Sequence, residues 1–314
     1  MVKRFTGQWA IDPCTTSITG LYNTARHDLT WNRQVLDISG IPETKLPPLM
    51  HSYHRAGKIL PQVAGSLGLP DDCDVLCGGN DAVLAALSGG FTAPGDINHI
   101  SGTAEITNVC LDIPLRSRNF NIRCHVIPDR WVTFFVLNTG GIALDWFHSV
   151  FCRELSQDQF YQDYVPSVLE GFLGSRNLDR LDTELPQYVP FLQGSRYSLE
   201  RMAASFSGLT LETTRDKFLL ALIKGNAAYH GEHLKEVAPL TQLNPTVMTS
   251  GGGARIEGLL RAKKRWMGNF DYQYRDQSSL LGAAMLGQFY LTEKFPYILC
   301  QRQNLPSPRS ELIR

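Results

Sequence analysis

The order of β-rich and helical segments between residues 95 and 291 constrains the fold of this 314-residue chain more than any other feature. Four β-rich runs separated by short turns come first, and they predict an antiparallel meander. Helices with apolar residues at helical spacing then alternate with short strands. The predicted strands are 97–101, 106–111, 122–127, 131–137, 246–248 and 270–274, and the predicted helices are 142–151, 213–237, 254–267 and 278–291.

This order is typical of an α/β fold, the ribonuclease-H-like domain used by actin-like ATPases. We therefore expect residues 93–295 to form one such domain. Residues 1–92 contain no hydrophobic centre that could stand alone, so they are expected to be part of a domain rather than a whole one. Residues 296–314 are expected to form a tail with little order.

Composition excludes some classes of function. Thirty basic side chains balance 30 acidic ones, which argues against a nucleic-acid or membrane-surface protein. The nearest approach to a basic block is Arg261, Lys263, Lys264 and Arg265, and its helical pattern predicts a solvated helix face. No apolar run reaches the ~18 residues that a membrane span needs, so we expect a cytoplasmic protein.

Cysteine and histidine spacing gives little support for a metal site. The seven cysteines are an odd number without a second pair at zinc spacing, which indicates reduced, buried thiols. His51 with His54, and His230 with His233, have spacings that could hold a metal. Neither pair has carboxylate and cysteine partners nearby, and both are expected on helix or loop surfaces.

A single carboxylate, Asp81, lies between a predicted buried strand, Val75–Cys77, and an alanine-rich helix, 82–87. An acid between a strand end and a helix start would lie at the carboxyl ends of the strands of a sheet, where α/β proteins usually have their active sites. The other interpretation is that Asp81 is only a helix N-cap. The sequence leaves both open.

Three glycine-bearing turns lie at the ends of predicted elements, at 101–103, 138–141 and 250–254. Glycine lets a ligand approach the backbone closely, and a helix start offers free N–H groups to phosphate. Each turn alone could be an ordinary connection. The chain contains no GxxxxGK[ST] motif, and Gly251-x-Gly253 lacks the third glycine of a dinucleotide fingerprint.

Taken in order, these segments resemble the FGGY carbohydrate kinases, a family that includes xylulose, gluconate and glycerol kinases. The segments that carry the resemblance are 78–81, 100–103, 138–141, 189–196, 206–209, 251–254 and 281–284. The resemblance implies that residues 1–92 are the closing part of the family's sugar-binding domain, itself of the same fold. It also implies that the chain corresponds to the C-terminal two-thirds of a kinase only, without the acidic Gly-Thr-Thr loop that holds phosphate and Mg²⁺.

The function implied by the resemblance is ATP-dependent, Mg²⁺-requiring phosphorylation of a sugar, sugar acid or polyol. Asp81 would be the general base. Asp145 and Glu257 could face the adenine or ribose, or could equally be helix-surface acids. The nucleotide-binding residues would be Gly102, Thr103, Gly140, Gly141, Asp145, Gly252, Gly253 and Glu257.

Two classes of function stay open. The first is a carbohydrate kinase, truncated here and weakly active or inactive alone. The alternative is a non-catalytic nucleotide-binding or interaction protein derived from such a kinase. A small sugar or polyol is the expected partner, and a homodimer is compatible with either. An actin-like polymer is disfavoured, because Asp81 and the stretch 189–196 would have no role in it.

Overall fold

The protein is described by a computed structural model, which covers residues 1–294. The predicted tail at 296–314 and Cys300 lie outside the described residues. The strands are β1 (Arg55–Lys58), β2 (Asp74–Leu76), β3 (Ile97–Ser101), β4 (Glu105–Leu111), β5 (Asn121–Cys124), β6 (Trp131–Leu137), β7 (Gln187–Val189), β8 (Ser205–Ser207), β9 (Thr246–Ser250) and β10 (Asp271–Tyr274).

The helices confirm most of the helical predictions and add several that the sequence pattern did not reveal. A π-helix at Phe160–Tyr164 lies between the helices Gln157–Gln159 and Val165–Leu173. Short 3-10 turns occur at Glu43–Lys45 and Gly252–Arg255. The α-helices are α1 (Val2–Thr6), α2 (Pro13–Thr16), α3 (Arg33–Ser39), α4 (Pro61–Leu67), α5 (Asp81–Ser88), α6 (Gly141–Phe151), α7 (Gln157–Gln159), α8 (Val165–Leu173), α9 (Leu178–Thr183), α10 (Arg215–Val237), α11 (Leu259–Trp266) and α12 (Ser279–Thr292).

A six-stranded mixed sheet forms the centre of the molecule, with strand order β10-β9-β3-β4-β6-β5. β10, β9 and β3 are parallel, whereas β3, β4, β6 and β5 pair antiparallel. The predicted meander order is therefore wrong, because β4 pairs with β6 and β5 lies outside β6. The physical reason is burial: β4 and β6 are seven residues long and almost wholly buried, while β5 has four residues and an exposed end suited to an edge.

Helices cover both faces of this sheet, which explains why its strands are apolar on both sides. On one face, α5 and α12 pack against alternate residues of β6, including Val132 and Phe134. On the other, α10 packs against the intervening residues, including Trp131 and Phe135. A second apolar core lies beyond α10, where α6, α8 and α9 pack against it and against α11.

The strand before Asp81 differs from its prediction. β2 is partly exposed and pairs antiparallel with β1 in a separate two-stranded sheet. Because β2 pairs only with β1 and is partly exposed, it is not a buried strand of the main sheet. Asp81 accordingly does not lie at the mouth of the large sheet in the way that the strand-to-helix pattern suggested.

The helix predicted over 254–267 is interrupted. Gly258 adopts φ +82°, in the left-handed region, and separates the 3-10 turn Gly252–Arg255 from α11. A Cβ at Gly258 would lie 3.0 Å from the Cβ of Leu169. The break thus allows α8 to approach the start of α11 closely.

His230 and His233 are buried on α10 rather than exposed as predicted, with relative exposures of 0% and 1%. Each ring is hydrogen-bonded to a threonine of the sheet, Thr107 at 2.8 Å and Thr133 at 3.1 Å. These contacts satisfy one nitrogen of each ring. Among the described residues, Nδ1 of His233 has no hydrogen-bond partner, and Nε2 of His230 lies 3.5 Å from Oε2 of Glu105. Among residues 1–294, no group of three or more metal-ligating side chains is gathered at one place.

Six cysteines lie within the described residues, and all six are free thiols. Cys14, Cys110, Cys124 and Cys152 are buried, whereas Cys73 and Cys77 are partly exposed. Within the same residues, none of the helices combines the length and the hydropathy that crossing a membrane requires.

Buried histidines predict an acid-sensitive fold. Burial lowers the pKa of His99 from 6.5 to about 4, helped by Lys263, and burial lowers the pKa of His233 to about 3. At pH values between these folded-state pKa values and the ordinary histidine pKa of 6.5, the unfolded chain binds protons that the folded chain does not. The free energy of unfolding therefore falls as the pH falls. We expect the free energy of unfolding to decrease from about pH 6.5 to about pH 4, by roughly 1–3 kcal/mol for each such histidine. Denaturant unfolding followed by circular dichroism measures this, and His233→Phe should reduce the slope; a flat profile over the window would contradict it.

The crossing of α12 over α5 provides a matched pair of substitutions. A Cβ at Gly282 would overlap the backbone carbonyl of Leu84, whereas one at Gly287 on the same helix meets nothing within 4 Å. Gly282→Ala should therefore lower the free energy of unfolding by roughly 1–3 kcal/mol. Gly287→Ala should raise it by roughly 0.5–1 kcal/mol through helix propensity. Equal effects of the two substitutions in denaturant titrations would show that the crossing is less close than described.

Candidate functional site

The three glycine-bearing turns meet at one edge of the main sheet. They follow the carboxyl ends of β3, β6 and β9, at Ser101, Leu137 and Ser250. β9 is parallel to β3, and β6 has the same direction as β3 because each is antiparallel to β4. Strand direction alone thus brings three turns, far apart in sequence, to the same edge.

A cleft of about 490 Å³ opens at this edge. Seven of the residues predicted to bind a nucleotide line it together. The eighth predicted nucleotide-binding residue, Glu257, is exposed and does not line the cleft. The candidate base, Asp81, is also exposed and does not line it. The seven are Gly102, Thr103, Gly140, Gly141, Asp145, Gly252 and Gly253.

Backbone hydrogen bonds join two of the turns. The N–H of Gly141 donates to the carbonyl of Gly102 at 2.8 Å, and that of Gly140 donates to the carbonyl of Thr103 at 3.1 Å. A Cβ at Gly140 would lie 2.5 Å from Cγ of Glu105. The two turns are therefore in direct contact, and glycine is required where they touch.

The third turn reaches the first through Gly251, whose φ is +87° and whose added Cβ would lie 2.6 Å from the carbonyl oxygen of Ser101. The next residue, Gly252, is different. It lacks a positive φ, and an added Cβ would meet nothing within 4 Å. Gly251 is thus needed for the fold of the turn, whereas Gly252 presents bare backbone to the cleft.

The opposite wall of the cleft is apolar and comes from helices. It is formed on α10 and around α11, with Leu144 of α6. Asp145 lies at this side, and its Oδ1 accepts a hydrogen bond from Tyr161 at 2.7 Å. Tyr161 belongs to the π-helix, which the sequence pattern did not reveal. The apolar lining residues are Leu144, Leu222, Ile223, Ala227, Ile256 and Leu259.

A buried ion pair lies at the floor of the cleft. Nζ of Lys263 is 2.5 Å from Oε1 of Glu105 and 2.8 Å from Nε2 of His99. Lys263 is 2% exposed, so the prediction of a solvated basic face is wrong for this residue. Burial opposes ionisation of Glu105, but Lys263 and the neighbouring histidines hold the pKa of this carboxyl well below its ordinary value. Lys263 and Glu105 therefore form a buried salt bridge.

Asp81 is the first residue of α5, and Asn80 occupies the N-cap position without a side-chain capping hydrogen bond. Oδ1 of Asp81 accepts from the N–H of Ala82 at 2.8 Å, and its side chain is exposed. The carboxylate is thus accessible to a ligand approaching the start of the helix. It is not the N-cap residue that the second interpretation supposed.

A second acid, Asp12, lies close to the loop that precedes Asp81. Its Oδ2 accepts from Oγ of Ser52 at 2.7 Å, and it would be 3.5 Å from a Cβ at Gly79. Asp12 is 2% exposed and caps α2 through the N–H groups of Cys14 and Thr15. Burial raises its pKa, although these hydrogen bonds act in the opposite direction. Its role is to hold α2 against the loop.

Comparison with known proteins shows which proteins the chain is similar to. Residues 1–88 match the model of the FGGY family of carbohydrate kinases, N-terminal domain. Among solved structures, a xylulose kinase from Rhodospirillum rubrum superimposes with a TM-score of 0.81 at 19% identity, covering 94% of this chain and 58% of that one. A Plasmodium falciparum glycerol kinase with ADP superimposes with a TM-score of 0.77 at 15% identity, covering 93% and 57%. The fold is thus the α/β actin-like ATPase fold of FGGY kinases.

Sequence relatives agree with this class at low identity. The chain is 25% identical over 268 residues to a xylulose kinase of Bacillus subtilis, covering 82% of this chain and 50% of the relative. It is 24% identical over 332 residues to a xylulose kinase of Escherichia coli, covering 99% and 65%. The chain is similar to these xylulose kinases at low identity and spans roughly half to two-thirds of the length of these two.

One expectation about this resemblance is wrong. The chain was expected to correspond to the C-terminal two-thirds of a kinase only. The family model that matches is instead that of the N-terminal domain, over residues 1–88. The expectation depended mainly on the glycine turns at 101–103, 138–141 and 250–254, and all three turns lie after the matched segment.

Proposed function

We propose that this chain binds an adenine nucleotide in the cleft at the edge of the main sheet. The activity to which this binding belongs is ATP-dependent phosphorylation of a sugar, sugar acid or polyol. The observation that supports the proposal is the convergence of three glycine turns on one cleft whose opposite wall is apolar. In this proposal residues 93–295 are the nucleotide-binding domain and residues 1–92 belong to the sugar-binding domain.

The two sides of the cleft suit the two ends of a nucleotide. At the sheet edge, the exposed side chain of Thr103 and the bare backbone at Gly252 can face phosphate oxygens. On the helical side, apolar side chains can cover a base and ribose. A volume of about 490 Å³ lies within the range of small-molecule sites. Asp145, held by Tyr161, can accept hydrogen bonds from ribose hydroxyls.

Asp81 is the candidate general base in this proposal. Its carboxylate is exposed and can take the proton from an acceptor hydroxyl as that hydroxyl attacks the γ-phosphate of ATP. Since the described residues gather no cluster of three or more metal ligands, the donor set fits a Mg²⁺ ion carried mainly by the nucleotide phosphates. Such an ion would neutralise phosphate charge, and the chain's own part would be to orient the nucleotide.

The second candidate function is nucleotide binding without catalysis. It is favoured by the position of Asp81, which does not line the cleft that would hold the nucleotide. The two candidates share the cleft and differ in turnover. They are therefore separated by measuring binding and phosphorylation on the same preparation.

Gly252→Val tests the nucleotide site. The substituted side chain should fill the cleft without disturbing the fold, because a Cβ at this position meets no atom within 4 Å. We expect ATP binding, measured by isothermal titration calorimetry, to weaken about tenfold or more, while the melting temperature stays within a few degrees. Gly65→Val is the control, since Gly65 also faces open space but lies on α4, away from the cleft. Equal ATP affinity in wild type and Gly252→Val would rule out this cleft as the site.

Asp81→Asn tests the catalytic part of the proposal. Because the relatives are named xylulose kinases, D-xylulose is the first acceptor to assay, followed by gluconate and glycerol. Loss of the base should reduce turnover by about 10²–10⁴-fold. ATP affinity should not change, as Asp81 is outside the cleft lining. Wild-type protein that binds ATP but phosphorylates none of these acceptors would favour the non-catalytic candidate, and unchanged turnover in the variant would remove Asp81 from the mechanism.

A further inference from the structure

We propose that Glu105 is a positioning residue that locks the three glycine turns of the cleft together, with Lys263 as the counter-ion that makes this possible. The inference rests on the proposed function only in its second part, where the locked turns favour nucleotide binding. Its first part concerns the turns themselves and can be measured without a ligand.

Contacts of Glu105 connect it to each of the three turns. Its Oε1 accepts from Oγ of Ser101 at 2.9 Å, which ties it to the first turn. Its Cγ lies against Gly140, where a Cβ would be 2.5 Å away, which places it against the second. Ser101 in turn lies against Gly253, because a Cβ there would overlap its Oγ. The third turn is thus held through Ser101.

Lys263 attaches this arrangement to α11. Its ammonium group binds Oε1 of Glu105 and Nε2 of His99, so α11, β3 and β4 are linked at one point. The second carboxylate oxygen of Glu105 lies 3.5 Å from Nε2 of His230, on α10. Burial lowers the pKa of both His99 and His230, so both rings are neutral near pH 7. Lys263 is therefore the charge that balances Glu105.

The energetics of buried ion pairs indicate that the Glu105–Lys263 pair fixes the positions of the turns rather than adding to the stability of the fold. Replacing a buried ion pair by side chains of similar volume is often neutral or stabilising, whereas removing one partner leaves an uncompensated charge. An apolar floor would therefore serve a purely structural role equally well. What an apolar floor would lack is a directed bond from Ser101 and a fixed link to α11.

The double variant Glu105→Met with Lys263→Met tests the proposal, because it makes the floor apolar and removes the acceptor for Ser101. Hydrogen exchange with mass-spectrometric detection should show faster exchange, by about tenfold, in peptides covering 101–103, 138–141 and 250–254 of the ligand-free protein. Exchange elsewhere in the main sheet should be unchanged. ATP affinity measured by calorimetry should fall about tenfold or more, because a small displacement of positioned groups has large effects.

A matched control is the double variant Thr133→Val with His233→Phe. It removes another buried polar contact between the sheet and α10, at 0% and 1% exposure, outside the cleft lining. It also removes the hydroxyl that accepts from the N–H of Val109 at 2.9 Å, so it disturbs the sheet more than loss of the histidine contact alone. This control should leave exchange in the three turns and ATP affinity unchanged. If it loosens the turns as much as the Glu105 variant does, the effect is general destabilisation and the positioning role is refuted.

Ser101→Ala is a milder variant that decides the matter if the double variant does not fold. It removes the hydroxyl between Glu105 and Gly253, and it should speed exchange at 101–103 and 250–254 while leaving 138–141 protected. Unchanged exchange in a folded variant would overturn the positioning role. Wild-type protein without ATP affinity would instead refute the proposed function, and the exchange data would still decide the role of Glu105.

Discussion

The change from parallel to antiparallel pairing at β3 is the constraint on which the rest of the structure depends. β3 pairs in parallel with β9 on one side and antiparallel with β4 on the other. Because β4 reverses direction and β6 reverses it again, three strand ends point the same way. The sheet edge that results collects three turns from residues 101–103, 138–141 and 250–254. No local property of any one turn could bring them together.

The long helix α10 completes the cleft by being buried on two sides. Its His230 and His233 face the sheet, while Leu219 and Leu222 belong to the core formed with α6 and α8. A helix in this position cannot have a simple apolar stripe, and its buried polar residues must be satisfied by the sheet. Thr107 and Thr133 supply a partner for one nitrogen of each histidine ring. The cleft is therefore a wedge between a sheet edge and a helix that is fixed from both sides.

Local sequence patterns predicted the elements of this fold better than their arrangement. The runs 97–101 and 131–137 match β3 and β6 residue for residue, because both are bounded by turns; 131–137 is entirely apolar or β-branched, and 97–101 contains Ile97 and Ile100. The position of β5 outside β6 was not predicted, since strand order depends on which strands can be buried. The glycine turns were recognised, because glycine at an element end has a backbone cause.

The Glu105–Lys263 pair could not have been predicted, because its partners are 158 residues apart and each looks ordinary in its own segment. Lys263 stands among three other basic residues, a pattern that normally indicates a solvated face. The sheet edge and α11 must both be in place before the two charges meet.

The contact between Lys263 and Glu105 has an electrostatic consequence for the cleft. A lone carboxylate beneath turns that are proposed to bind phosphate would repel such a ligand, and the low dielectric of the site would strengthen the repulsion. With Lys263 bound to it, the negative charge of Glu105 is balanced within the floor. Attraction of an anion must then come from backbone dipoles at the turns, which act only if the turns are held in fixed positions. A balanced charge in the floor and rigid turns are thus two requirements of one site, and the same ion pair meets both.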